Sequence, residues 1–229
     1  MEFTKLQRER AVDSVYKELR QAIVSYGLKP GERLNVDELA SKMGVSLTPV
    51  RGAIQQLATE GLVEIKPRSG TFVASLTARD VEETFQIRCA LECLAAEEAM
   101  GRIGGAGLRR LRELLKSLKR PVHGEKGRMA HERDNSEFHQ ILARSSGNRR
   151  LVEMYDALNA HIQIARIHAA EANWQSRLQE EQAEHEAIVE ALEARDAARL
   201  RAAMRKHVYR AKDALLAALR EREEGRPPS

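Results

Sequence analysis

Three histidines, His139, His185 and His207, are the residues of this chain best placed by type and spacing to gather a metal ion. They lie in the segments NSEFH (135–139), EHEAIVEAL (184–192) and AMRKHVYRA (203–211), each of which reads as helix. Asn135 and His139 are four apart and therefore share one helix face. His185 and His207 sit on successive runs that break near Asp196. So short a connection makes those runs antiparallel neighbours, and two imidazoles can then meet at one depth. Three imidazoles plus one oxygen suit a first-row transition metal. The same spacing also fits three unrelated histidines on surfaces or between helices, and spacing by itself leaves both readings open.

A metal with open coordination positions can activate water, which makes a metal-dependent hydrolase the competing class. The motifs argue against it. HEAIV begins like the zinc-protease HExxH signature but has Val189 where the second histidine belongs, and HERDN ends at Asn135. There is no GxSxG, and GRIGGAG (101–107) is followed by Leu108 rather than by GK[ST], so it reads as an interhelical loop. Cys89 and Cys93, four apart on a helix, are poorly placed for a bridge and read as reduced packing residues of a cytoplasmic protein. No apolar run approaches the ~20 residues of a membrane span. The start, MEFTKLQRER, lacks the apolar core of a secretory signal.

A second constellation is VSLTPVRGAIQQL, residues 45–57. Ser46 suits an N-cap and Pro49 the first turn, where a missing N–H costs little. Val50, Ala53, Ile54 and Leu57 form one apolar stripe, with Thr48, Arg51 and Gln55 on another face. Alone, this is an ordinary capped surface helix. Its neighbours change the reading. AVDSVYKELRQAIVSYG is a helix with Val12, Val15, Leu19, Ala22 and Ile23 inward, stopped by Gly27 and Pro30-Gly31. VDELASKMG is a short helix with Leu39, Ala40 and Met43 inward. LVEIKPRSGTFVAS reads as a hairpin turning at PRSG. Helix, helix-turn-helix and hairpin in that order describe a winged helix-turn-helix. Such a module inserts the N-terminus of its second paired helix into the major groove. Ser46 and Thr48 then donate to phosphate, and Arg51 reaches a guanine edge in bidentate fashion. Arg68 and Gly70 form the wing tip against the sugar-phosphate backbone or the minor groove.

The composition, 42% hydrophobic and 31% charged over 229 residues, is that of a folded globular protein. A net charge of +4 permits a nucleic-acid partner without requiring one. Aromatics at 4% are too few for a single-strand stacking platform. Past the connector SLTARD the period is helical throughout, over 79–101, 107–119, 128–146, 148–171, 174–195 and 196–222. The expected architecture is mainly α: a winged helix-turn-helix over 1–75, a linker at 76–79, an all-helical bundle over 80–222 and a frayed tail at 223–229.

Residues 11–74 resemble the N-terminal domain of GntR-family bacterial transcription regulators, through LKPGERLNVDELASKMGVSLTPVRGAIQQLATEGLVEIKPRSGTFV. Leu47 stands where that family usually has arginine, and Gly52 where it usually has glutamate. Glycine there weakens the helix by roughly 0.5–1 kcal/mol relative to alanine. Residues 80–219 resemble the effector-binding (FCD) domain of the FadR subfamily in its shorter, six-helix, VanR-like form. The matching pieces are IRCALECLAAEEA, FHQILARSSGN and HEAIVEALEARDAARLRAAMRKH. The resemblance implies a divalent metal held by one aspartate and three histidines, with zinc expected and nickel or manganese as alternatives. His139, His185 and His207 match the histidines, and Asn135 stands in the aspartate's place. An amide oxygen can ligate but leaves the cation's charge uncancelled, which weakens metal binding and favours an anionic ligand. Arg88 matches an arginine that faces the effector in that family; its other reading is a surface cation paired with Glu92. The resemblance also implies a homodimeric repressor on a palindromic double-stranded operator, answering to a small organic acid, and not an enzyme. A non-specific architectural DNA binder would have little use for so large a helical domain without a basic tail.

Overall fold

The computed structural model describes residues 11–25, 27–75, 77–158 and 174–223. The chain divides into two compact units, Met1–Leu76 and Thr77–Ser229.

The first unit begins with helix α1 (Ala11–Val24), which buries Val15, Leu19 and Ile23 and packs on α3 (Leu47–Thr59). Between them lies α2 (Val36–Met43), sharply bounded at both ends. Asn35 accepts from the amides of Asp37 and Glu38, and Gly44 closes the helix in the left-handed region at φ 64°. Helix α3 buries Pro49, Val50, Ala53, Ile54 and Leu57, the apolar stripe expected from the sequence. Ser46 occupies its N-cap position without a side-chain capping bond. Gly52 has a packing reason. A Cβ there would lie 3.3 Å from a methyl of Val12, so the glycine permits the close approach of α1 and offsets its weak helix propensity.

Strands β2 (Val63–Lys66) and β3 (Gly70–Val73) form the expected hairpin. A third strand, β1 (Arg33–Leu34), pairs antiparallel with β3 and was not expected from the sequence. The order is β1-β3-β2, with Arg33 opposite Phe72 and Lys66 opposite Gly70. Leu34, Val63 and Val73 are buried along it.

Glu60, just past the end of α3, ties to α1 through two side chains: the Tyr16 hydroxyl donates to its carboxylate, and Arg20 Nε stands 3.5 Å from it. Burial first, then the Glu60 carboxylate, push the Tyr16 hydroxyl up to about 12. The folded form thus keeps a proton that the unfolded chain loses near pH ~10. The stabilisation is complete below that pH and is lost as pH climbs toward 12. We expect Tyr16→Phe to lose about 1 kcal/mol in urea unfolding at pH 7. A variant as stable as the parent would show that the tie contributes nothing.

The second unit is helical throughout its described residues: α4 (Ala78–Met100), α5 (Gly105–Leu118), α6 (Gly124–Ser145), α7 over 149–158, α8 (Trp174–Glu193) and α9 (Ala197–Glu223). Helix α4 starts inside the expected linker because Thr77 and Asp80 form a reciprocal capping box. Helix α6 starts four residues before its expected onset, within HGEKG. The part of the expected 148–171 run beyond 158, and the tail beyond Glu223, lie outside the described residues. Helix α4 packs against α6, α8 and α9, and α5 against α6 and α8. Between α8 and α9 the turn is short: Arg195 takes φ 53°, and Asp196 accepts from the Arg199 amide at 2.9 Å. That reversal makes the two helices antiparallel and sets His185 and His207, equidistant from Asp196 along the chain, at the same depth.

Candidate metal centre

Helices α6, α8 and α9 each bring one histidine to a common point inside the second unit. His139, His185 and His207 are all buried, and their candidate ligand nitrogens lie within 4.8 Å of one another. His139 Nε2 and His207 Nε2 are 3.1 Å apart. Two nitrogens bound to one ion at ~2.0–2.1 Å stand about 2.9–3.4 Å apart, depending on coordination geometry, so this spacing fits a shared cation. The ring of Phe138 packs 4.5 Å from that of His185, giving the cluster an apolar wall.

Acidic residues stand behind two of the rings. His139 Nδ1 is 3.0 Å from Glu92 Oε2, and His207 Nδ1 is 3.1 Å from Glu184 Oε2. Each carboxylate is held in turn by an arginine: Arg88 Nε donates to Glu92 at 2.7 Å, and Arg210 Nε to Glu184 at 2.7 Å. Burial opposes ionisation of Glu92, but Arg88 and His139 outweigh it and hold the carboxyl well below the usual range. Burial, reinforced by His139 and Arg88, pushes His207 well below the ordinary imidazole value and leaves it neutral, as a metal ligand must be.

Asn135 is buried one turn before His139 on the same face of α6. Asp134 does not substitute for it. Its carboxylate accepts from Ser117 Oγ at 2.6 Å, on α5, and from the Arg133 guanidinium. One further turn back along α6, His131 Nε2 is 3.8 Å from Glu181 on α8. Arg88 corrects the surface-cation reading. It is paired with Glu92 as that reading held, but the pair is buried, with Arg88 1% and Glu92 3% exposed. Arg88 Nη1 has no hydrogen-bond partner. Cys89 and Cys93 are free thiols in hydrogen-bond contact, and Cys93 is pushed up to about 12 by burial and by Cys89, which suits packing residues.

Glu92, Glu184 and Arg210 are functional candidates that sequence reasoning did not assign. The legible signal was positional. Arg88 and Glu92 fall on the inward stripe of α4 with Val81, Phe85, Ala96 and Ala99, where a charge needs a partner.

In the first unit, Ser46, Thr48 and Arg51 are exposed at the start of α3. Arg68 and Gly70 occupy the β2–β3 turn, where Lys66 O accepts from the Ser69 amide at 3.1 Å. Arg68 adopts φ 64° and Gly70 φ 128°. A Cβ on Gly70 would meet the Arg33 guanidinium at 3.0 Å, a second reason for glycine there.

The family model for the FCD domain matches residues 83–210, and that for bacterial regulatory proteins of the gntR family matches residues 11–73. An HTH-type transcriptional regulator of Bacillus subtilis, YdhC, is 35% identical over 152 residues, 66% of this chain and 68% of that protein. The HTH-type transcriptional repressor RspR of Escherichia coli is 31% identical over 128 residues, 56% of each chain. Among solved structures, E. coli McbR/YncC superposes with a TM-score of 0.79 at 26% identity, covering 93% of this chain and all of that one. These relatives are regulators rather than enzymes, which removes the hydrolase reading. The chain belongs to the GntR family of bacterial transcription regulators and carries an FCD domain.

Proposed function

We propose that this regulator is a metabolite-responsive repressor whose helical unit holds a divalent metal beside a small organic acid. His139, His185 and His207 would hold the ion, with Asn135 as the oxygen donor; zinc is the expected metal, with nickel or manganese as alternatives. The bound cation would supply a Lewis-acidic anchor for an effector carboxylate. Arg88 orients that carboxylate from the other side. The observation that carries the reading is the buried Arg88 Nη1, without a hydrogen-bond partner, in the same Arg88–Glu92–His139 chain as the three-histidine cluster. A buried cation with an unused donor is compensated by an entering anion. The protein works in the cytoplasm as a homodimer, because a two-fold dimer matches the palindromic operator expected for such a module. The similarity to RspR, a repressor, supports a repressive role. The effector acts through different affinities for DNA-competent and DNA-incompetent arrangements.

Mobility shifts on the chain's own upstream DNA, at several salt concentrations and with candidate organic acids, test this reading. Sequence-specific binding altered by one acid supports it. Binding equal on all sequences would point instead to an architectural protein.

Arg68 supports the wing assignment. Pro67 and Arg68 are the central residues of a turn in which Arg68 holds a left-handed conformation that suits glycine. An arginine pays roughly 1–2 kcal/mol there, and an outlier of that size points to a use for the side chain. We expect Arg68→Gly to be at least as stable as the parent, yet to bind DNA more weakly, with a salt slope reduced by about 1. Unchanged DNA affinity would remove Arg68 from the interface.

A further inference from the structure

We infer that Glu92 and Glu184 are positioning residues that fix His139 and His207 as metal donors, each orienting one imidazole through Nδ1 so that Nε2 faces the shared centre. The inference rests on the metal reading above and extends it from the donor atoms to the groups that aim them.

A neutral imidazole carries one N–H, and an ionised carboxylate only accepts. The nitrogen that faces a buried carboxylate therefore keeps the proton. Glu184 Oε2 is hydrogen-bonded to Nδ1 of His207 at 3.1 Å, and Glu92 Oε2 makes an ion-pair contact with Nδ1 of His139 at 3.0 Å. Both rings thus carry N–H on the outer side and a lone pair on Nε2. Those two lone pairs meet at 3.1 Å. Lone pairs at that distance repel unless a proton on one Nε2 or a metal ion lies between them, and only the metal ion uses both rings as donors.

Each carboxylate is itself held. Arg88 and Glu92 are four apart on α4, and their bond at 2.7 Å leaves Glu92 little freedom to turn from His139. Arg210 lies one turn beyond His207 on α9 and reaches across to Glu184 on α8. The result is two arginine–carboxylate–imidazole chains that meet at the paired Nε2 atoms. A carboxylate behind a ligating histidine sets the ring's tautomer and raises its basicity, and losing it costs roughly 10–100-fold in metal affinity. Asn135, the proposed oxygen donor, carries no charge, so these anions matter more here. Glu92 has a second effect: it occupies Arg88 Nε and leaves Nη1 aimed elsewhere, so one carboxylate orients both a metal donor and the effector-facing guanidinium.

Two measurements test the inference. The first needs no glutamate variant: long-range 1H–15N correlation of the metal-stripped full chain, with ring signals assigned through His139→Gln and His207→Gln. Both rings should show the Nδ1–H tautomer, and an Nε2–H tautomer in either overturns the inference. The second is zinc affinity by chelator competition for the parent, Glu92→Gln and Glu184→Gln, with circular dichroism confirming the fold. Each variant should bind zinc about 10–100-fold more weakly. Affinities within about threefold of the parent in both would also overturn it. If a variant fails to fold, the tautomer spectrum decides. Failure of the metal reading looks different, since the parent itself would then take up no zinc, nickel or manganese.

Discussion

Purified His185→Ala protein is expected to carry no stoichiometric divalent metal under conditions in which the parent does. His185 comes from α8, His139 from α6 and His207 from α9, so each helix would contribute one donor and none would be redundant. Removing one would leave two imidazoles, too few to hold a divalent ion firmly even with Asn135 as the proposed oxygen donor. The loss should exceed the roughly 10–100-fold that an outer partner costs. Part of the effect will be mechanical, since the His185 ring packs 4.5 Å from Phe138 and its truncation opens a hole in the core. The two contributions separate in a thermal melt. A ligand that binds only the folded state stabilises by about 2.7 kcal/mol at a hundred times its dissociation constant. The parent melt should therefore rise with added zinc and fall with a chelator, whereas the variant melt should sit lower and ignore both. Metal content unchanged in the variant would dismantle the three-histidine site and leave only the DNA-reading unit.

The clustering of the three histidines was readable from the sequence, and the groups behind them were not. The positions of His185 and His207 either side of Asp196 were legible because a tight helical reversal maps chain distance onto depth. Depth alone does not reveal what stands behind a ring. Glu184 adjoins His185 in sequence, yet on a helix its side chain turns about 100° away, toward α9, and serves His207 instead. Glu92 looked like the partner of a surface arginine because an i,i+4 ion pair has the same spacing whether wet or buried. Its location was decided by α9 and α6 packing over α4, a tertiary fact. The first unit shows the same division. The stripe of Val50, Ala53, Ile54 and Leu57 was explicit in the 3.6-residue period. Strand β1 was not, since two residues between Pro30-Gly31 and the Asn35 cap carry no period of their own, and pairing with β3 makes them a strand. Gly52 read as a weakness of α3 until Val12 was found against it.

The larger consequence for DNA concerns Arg51, the single charged residue of α3. It is exposed, and among the described residues it has no ion-pair or hydrogen-bond partner, so nothing in the fold needs its guanidinium. Arg51→Ala should leave stability unchanged or slightly higher, because alanine is the better helix former. Its effect should fall on discrimination. With Leu47 in place of the arginine usual in the family, α3 has one residue able to grip a guanine edge with two parallel bonds. Such a contact contributes about 1–3 kcal/mol, so the preference for operator over scrambled duplex should shrink by roughly 5–150-fold. Binding to the scrambled duplex should barely change if Ser46, Thr48 and Arg68 supply the phosphate contacts expected of them. Arg51→Lys sharpens the test. Lysine keeps the charge but cannot form the planar fork, so it should leave most of the lost selectivity unrestored. Equal weakening on operator and scrambled sequence, rescued by lysine, would make Arg51 a phosphate anchor and shift base reading to Thr48 and Gln55.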